Sequence, residues 1–281
     1  MRLHTGFFRF IWFEIDQHII QKRWLLLFPI MLFISYLEIG GVLIQSSNRS
    51  LTVNAWDALF SVFGNGNILF FVVTTLYLYL VSDLASETGF SEAVLFRLGS
   101  RRLWWLGKTL TLIFAVVAFV FISVGIVSAV ASFVLPWQNA WSEAASRLPL
   151  EFFIVPPVLA MKPATAFGQL LFLLGAGWLC LGLLTLVITQ IARYPLWGFI
   201  AAISTNLISL IALRNDVRPP YSFIFIHQHL LFNYHSFGSL ETPYPPMIAS
   251  VLYWVILIAL FFVVGWWLSL RRDFIRMGHE Q

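Results

Sequence analysis

Six long apolar stretches divide this chain, and they leave it one kind of environment to fold in. A helix needs about 20 mostly apolar residues to cross the hydrocarbon of a bilayer. Residues 24–44, 64–81, 109–135, 166–192, 195–213 and 247–270 meet or approach that length. Of 281 residues, 59% are hydrophobic and 11% charged, against roughly 45–50% and about 25% in a soluble domain. A water-soluble fold has to cover its exterior with polar side chains, whereas lipid requires none, so a mean hydropathy of +0.84 excludes the soluble class. The expected fold is an all-α integral membrane protein, with residues 1–281 as a single transmembrane domain of six helices.

The second span is the weakest, because Gly64-Asn65-Gly66-Asn67 stands at its start and predicts a bent or unwound entry. Arg193-Tyr194-Pro195 alone separates the fourth and fifth. Proline disfavours helix in the residue before it, so these two spans read as a helical hairpin. Lysine and arginine resist translocation, and their distribution sets the orientation. With the N-terminus inside, Arg2, Arg9, Lys22, Arg23, Arg97, Arg101, Arg102, Lys108, Arg193, Arg271, Arg272 and Arg276 lie on the cytoplasmic side, 12 of the 17 basic residues. Arg49, Arg147, Lys162, Arg214 and Arg218 lie outside. Both termini are therefore expected in the cytoplasm. The outside segments 136–165 and 214–246 carry apolar pieces at 152–161 and 221–232. These are too short to cross and are expected to lie at the interface or re-enter.

The single cysteine, Cys180, permits no intrachain disulfide and no cysteine metal cluster. Arg9, Glu14 and Asp16 interrupt the N-terminal apolar stretch, so no cleavable signal peptide is expected. The pI of about 9.4 follows from basic residues beside apolar runs, which membrane topology explains without nucleic acid.

Chemistry-bearing motifs are few. Gly107-Lys108-Thr109 resembles the end of a phosphate-cradling P-loop, but Arg102 stands where that loop needs its first glycine. Lys108 is read instead as marking where a span leaves the interface. His227, His229 and His235 are the candidate metal ligands. Positions two apart on a helix point about 200° away from each other, so the first pair can share an ion only on extended or irregular backbone. Interfacial polar residues are the simpler reading. Glu38 is the one carboxylate well inside an expected span, where an acid costs about 2.5–3.5 kcal/mol unless paired or hydrated. It is a candidate pathway or proton-relay group, or a packing hydrogen bond. Gly40-Gly41 beside it permits close helix approach. Trp12, Trp24, Trp56, Trp104, Trp105, Trp137, Trp141, Trp266 and Trp267 lie near expected span ends and read as an interfacial belt. The sequon Asn48-Arg49-Ser50 matters only in a eukaryotic secretory route.

The informative stretch is the cytoplasmic connection 83–108. Ser86 and Glu87 can open a short helix, Val94, Leu95 and Leu98 can line one side of it, and Gly99-Ser100 can end it. Glu87, Thr88-Gly89, Val94-Leu95, Ser100-Arg101 and Gly107-Lys108, in that order, resemble the first cytoplasmic loop of type-2 ABC transporter permeases, the membrane subunits of many bacterial exporters. Gly99 departs from the proline common before the Ser-Arg pair in that family. The resemblance implies an N-terminal interfacial elbow helix at about 6–21 and a membrane-dipping segment at 221–232. It implies a coupling helix whose Glu87, Thr88, Gly89, Glu92, Arg97, Ser100 and Arg101 contact an ATPase, with Arg193 a lesser contact. The partners it implies are ABC ATPase subunits, which hold ATP and Mg, and a second permease chain of the same or a related kind.

The expected function is thus the permease of an ABC exporter in the bacterial plasma membrane, moving an amphipathic or lipophilic substrate. The chain itself is expected to hold no cofactor or metal and to catalyse nothing. Two rival readings fit the same residues. One is an ion-coupled secondary transporter using Glu38, and the other a lipid-modifying enzyme using the outer histidines with Glu241 or Asp216.

Overall fold

In lipid no water satisfies a bare backbone N–H or C=O, so each apolar run has to form its hydrogen bonds within itself, as a helix. The computed structural model describes residues 2–85, 100–217, 220–239 and 243–271, among which every regular element is helical. In chain order the principal helices are α1 (Arg2–His18), α2 (Lys22–Arg49, with a 3-10 first turn), α3 (Ala55–Gly64), α4 (Gly66–Val81), α5 (Arg101–Val134), α6 (Pro163–Ala192), α7 (Pro195–Arg214), α8 (Ile226–Leu230) and α9 (Met247–Arg271). α2, α5, α6, α7 and α9 are long and apolar enough to cross a membrane, and α3 with α4 makes a sixth candidate bent by 52°. Large apolar side chains face outward all round, Phe121 and Phe133 among them at 80% and 88% exposure, while Asn206, Thr185 and Ser250 are fully buried. A surface of that kind is solvated by lipid, and the protein is membrane-embedded.

The helix bounds agree with the expected spans to within a few residues, except at two places. α5 begins at Arg101, a full two turns before the expected entry at Thr109. Residues 51–63, outside the expected spans, contain α3. Its start is fixed by a capping box, in which Asn54 accepts the Trp56 N–H at 3.0 Å and Asp57 accepts the Asn54 N–H at 2.8 Å. The break expected at Gly64-Asn65-Gly66-Asn67 is present. Asn65 leaves the helical region, and its side chain restarts the chain as α4 by accepting the Asn67 N–H at 3.1 Å.

Packing is centred on α6, which lies against α5, α7 and α9. α2 packs on α3 and α5, and α1 lies against α5. α4 carries a π turn at Leu69–Val73, which removes an ordinary helix bond. The Phe70 carbonyl there accepts from Asn206 Nδ2 on α7 at 2.6 Å. Small residues decide the closest approaches. A side chain at Gly107 would collide with the Phe10 ring of α1, and one at Gly177 with Leu230 of α8.

Gly40-Gly41 corrects an expectation. Nothing lies within 4 Å of where their Cβ atoms would be, so they mediate no close helix approach among the described residues.

Candidate functional site

The most developed polar site lies where the 83–108 connection meets the bundle. Glu14 and His18 are four residues apart on α1 and so share one face. Lys108 sits two turns into α5, and Asp83 follows the end of α4. Lys108 Nζ donates to Glu14 Oε2 at 2.6 Å, and both side chains are 1% exposed. His18 Nε2 lies 3.4 Å from the same Glu14 oxygen, and its Nδ1 is 3.5 Å from Asp83 Oδ1. Arg23 closes the chain of charges by donating from Nη2 to Asp83 Oδ1 at 2.5 Å and to the His18 carbonyl at 3.1 Å. Trp24 Nε1 donates to that carbonyl at 2.8 Å.

Burial works against ionisation of all three titratable members outside the spans, and the neighbours overcome it. Lys108 and His18 hold the Glu14 carboxyl below the usual range. Asp83 is held low in the same way by His18 and Arg23. Asp83 and Glu14 in turn raise His18 above the ordinary imidazole value. The result is a five-residue ionic clamp joining α1, the start of α2, the end of α4 and the start of α5.

The clamp corrects the reading of Lys108 as an interface marker, since its ammonium is enclosed by protein. Trp24, Trp104 and Trp105, expected in an interfacial belt, are 5%, 1% and 0% exposed and belong to the core around this junction. Trp12, Trp137 and Trp267 do face outward.

Of the expected ATPase-contact residues, Glu87, Thr88, Gly89, Glu92 and Arg97 lie outside the described residues. Ser100 caps α5 by accepting the Leu103 N–H at 3.5 Å. Arg101 donates from Nη1 to the Leu270 carbonyl at 2.9 Å, tying the start of α5 to the end of α9. Arg193 is exposed at the α6–α7 turn, in the left-handed conformation at φ 59°.

A second buried polar cluster occupies the far end. α8 is inserted into the bundle and touches α6, α7 and α9. Its Leu230 packs on Gly177, fourteen residues into α6, which is about 21 Å along that helix. His229 Nδ1 and His235 Nε2 both lie 2.8 Å from Ser250 Oγ on α9. The other ring nitrogens face the carbonyls of Phe223 at 2.8 Å and Phe232 at 3.2 Å. Ser222 Oγ donates to Gln228 Oε1 at 2.9 Å, and Gln228 Nε2 donates to the Tyr234 carbonyl at 2.7 Å. Burial lowers all three histidines, His227 and His235 to about 4. They are neutral near pH 7, and buried rather than interfacial. Among the described residues no group of three or more His, Cys, Asp or Glu side chains can hold a metal ion. Glu241, invoked for the enzyme reading, lies outside the described residues.

Glu38 is half-buried on α2, facing the Asn65 side chain at the α3–α4 break. It lines one end of an apolar groove of about 420 Å³ between α2 and α4. No family model, curated protein or solved structure matches this chain.

Proposed function

We propose that the chain is the permease subunit of an ATP-driven ABC exporter, set in a bacterial plasma membrane with both termini on the cytoplasmic side. The observation that carries this reading is the ionic clamp at the two ends of the 83–108 connection. That connection bears the acid, Thr-Gly, Ser-Arg and Gly-Lys pattern, and both of its ends are tied through α1 into one unit.

A push on residues 86–99 by a closing ATPase would reach α4 through Asp83 and α5 through Lys108 together. α1 would then act as the elbow helix that couples the two displacements. In this reading Glu87, Thr88, Gly89, Glu92, Arg97, Ser100 and Arg101 face the ATPase, and exposed Arg193 supplies the lesser contact. ATP and Mg belong to the partner, in keeping with the broken P-loop at Arg102. A second permease chain completes the pathway, and the substrate is amphipathic or lipophilic. The energetic logic is ordinary two-state coupling, since a partner moves the bundle only by binding its two states differently.

The test is co-purification in mild detergent. A tagged chain is expected to bring down an ATPase whose turnover falls when Glu87 or Arg97 is replaced by alanine. An ATPase that neither co-purifies nor depends on this chain would overturn the proposal, as would thiols engineered at 87–97 that label only from outside the cell.

One observation favours a second reading. Glu38 stands beside a helix broken at Asn65, and acids next to broken helices are common in ion-coupled transporters. That reading requires gradient-driven transport without ATP, abolished in Glu38→Gln.

A further inference from the structure

Glu38 lies at position 17 of the 28 residues of α2, about 4 Å from the midpoint of that helix at 1.5 Å per residue. At such a depth a carboxylate calls for a counter-charge. Four carboxylates have a basic partner, Glu14 with Lys108, Asp83 with Arg23, Glu151 with Arg49 and Glu143 with Arg147, and the buried Asp57, in no ion pair among the described residues, is held at a helix start by the Asn54 N–H at 2.8 Å. Among the described residues Glu38 takes part in no ion pair. The polar group facing it is the Asn65 side chain, whose oxygen already accepts the Asn67 N–H at 3.1 Å. A neutral amide can donate a hydrogen bond to the carboxylate but cannot balance its charge.

The groove that ends at Glu38 is otherwise hydrocarbon, with Ile30, Phe33, Ile34, Leu37, Ile68 and Val72 along it. It follows α2 from Pro29 to Glu38, about 14 Å along the axis. Phe33 and Leu37 are 63% and 51% exposed, so the groove opens sideways to the lipid rather than to water.

We infer that this groove binds lipophilic cations, with a positively charged amine or quaternary ammonium head against Glu38 and Asn65 and an apolar tail along α2 and α4. The missing counter-charge is supplied by the ligand. The tail enters from the membrane, where such amphiphiles concentrate. As a substrate class for export this rests on the permease reading. As a binding site it stands without it.

The probe is dodecyltrimethylammonium, whose charge is permanent, with dodecanol as the neutral comparator and the full chain held in vesicle-derived discs of zwitterionic lipid. Wild type is expected to bind the cation, and Glu38→Gln to bind it at least about tenfold more weakly, the loss of a charge-assisted contact. Dodecanol is expected to bind both equally. Glu38→Asp keeps the charge and is expected to retain the preference for the cation. Val72→Trp fills the groove and is expected to weaken both ligands. Cation binding that is equal in wild type and a folded Glu38→Gln overturns the inference, and so does a Glu38→Asp variant that treats the two ligands alike. If cation binding follows Glu38 while no ATPase associates with the chain, the site stands and the permease reading falls. If an ATPase associates and Glu38 makes no difference, only the site falls.

Discussion

Two polar clusters are buried at opposite ends of the bundle, and they are built on opposite principles. At the end where α4 and α5 approach the 86–99 segment, Glu14, His18, Arg23, Asp83 and Lys108 form a chain of ion pairs. At the other end, the polar contacts that hold α8, made by His229, His235, Gln228 and Ser250, are neutral hydrogen bonds. Histidine shows the contrast in a single residue type. Carboxylates on both sides raise His18, whereas His227 and His235, buried away from any paired carboxylate, are pushed to about 4. Burial by itself therefore does not set the charge of a polar group in this protein; the available partners do. The charged cluster joins separate helices through side chains that carry opposite charges. The neutral one fastens a short non-spanning helix whose backbone would otherwise meet lipid unsatisfied.

The sharpest way to break this comparison is to remove one charge from the clamp. Lys108→Met should cost about 3–5 kcal/mol, because the enclosed Glu14 would lose its ammonium partner and keep only His18 at 3.4 Å. Glu14→Gln combined with Lys108→Met should recover most of that loss in thermal unfolding in mild detergent. Equal losses in the single and double variants would show that the pair is not coupled.

Acid should act next, and selectively. The folded-state values of His227 and His235, near 4, lie below the usual imidazole value of about 6.5. The unfolded chain thus takes up protons first, and stability falls as pH drops from about 6.5 toward 4, by at most about 3 kcal/mol for each of the two histidines. His18 has the opposite sign. Its raised value adds stability that is complete below about 6.5 and is lost as pH rises through that raised value. Glu14 and Asp83, held low, contribute above the usual carboxylate range and lose that contribution as pH falls through their lowered values. In unfolding midpoints measured against pH, His235→Gln should flatten the acid loss near the imidazole range, and His18→Gln the alkaline one.

Ser250→Ala should cost less, about 1–2 kcal/mol, as befits neutral hydrogen bonds. It should also speed thiol labelling of Cys180, which is buried in a pocket shared with Ile224, Phe225 and Ile226. Unchanged labelling would mean that Ser250 does not fasten the inserted segment. The smallest effect belongs to the exposed pair Arg49–Glu151, 2.7 Å apart with side chains 46% and 35% exposed. Arg49→Gln should change stability by less than about 1 kcal/mol, against several for Lys108 in a pair of nearly the same length.

Much of the scaffold is legible in the residues. The apolar runs predict five spans and the bent sixth candidate, the Gly-Asn repeat predicts the break, and Arg193-Tyr194-Pro195 predicts the hairpin turn. The start of α3 is visible in the residues as Asn54 followed three positions later by Asp57, a capping signature in a stretch outside the expected spans. The clamp is not legible in this way. Lys108 and Glu14 are 94 residues apart, and nothing local in either segment names the other. Trp24, Trp104 and Trp105 fail as belt residues for the same reason, since a position near a span end does not reveal which face of the helix another element covers.

The sequence alone therefore determined the class, the spans and the places where helices bend or turn back, because bilayer thickness and backbone satisfaction act on each segment independently. Only the tertiary structure decided which polar groups share a site. It set Lys108 beside Glu14, His229 and His235 around Ser250, and Glu38 at the end of a groove without a basic partner among the described residues. Those pairings follow from how the helices pack, and that geometry is a property of the whole bundle rather than of any one segment within it.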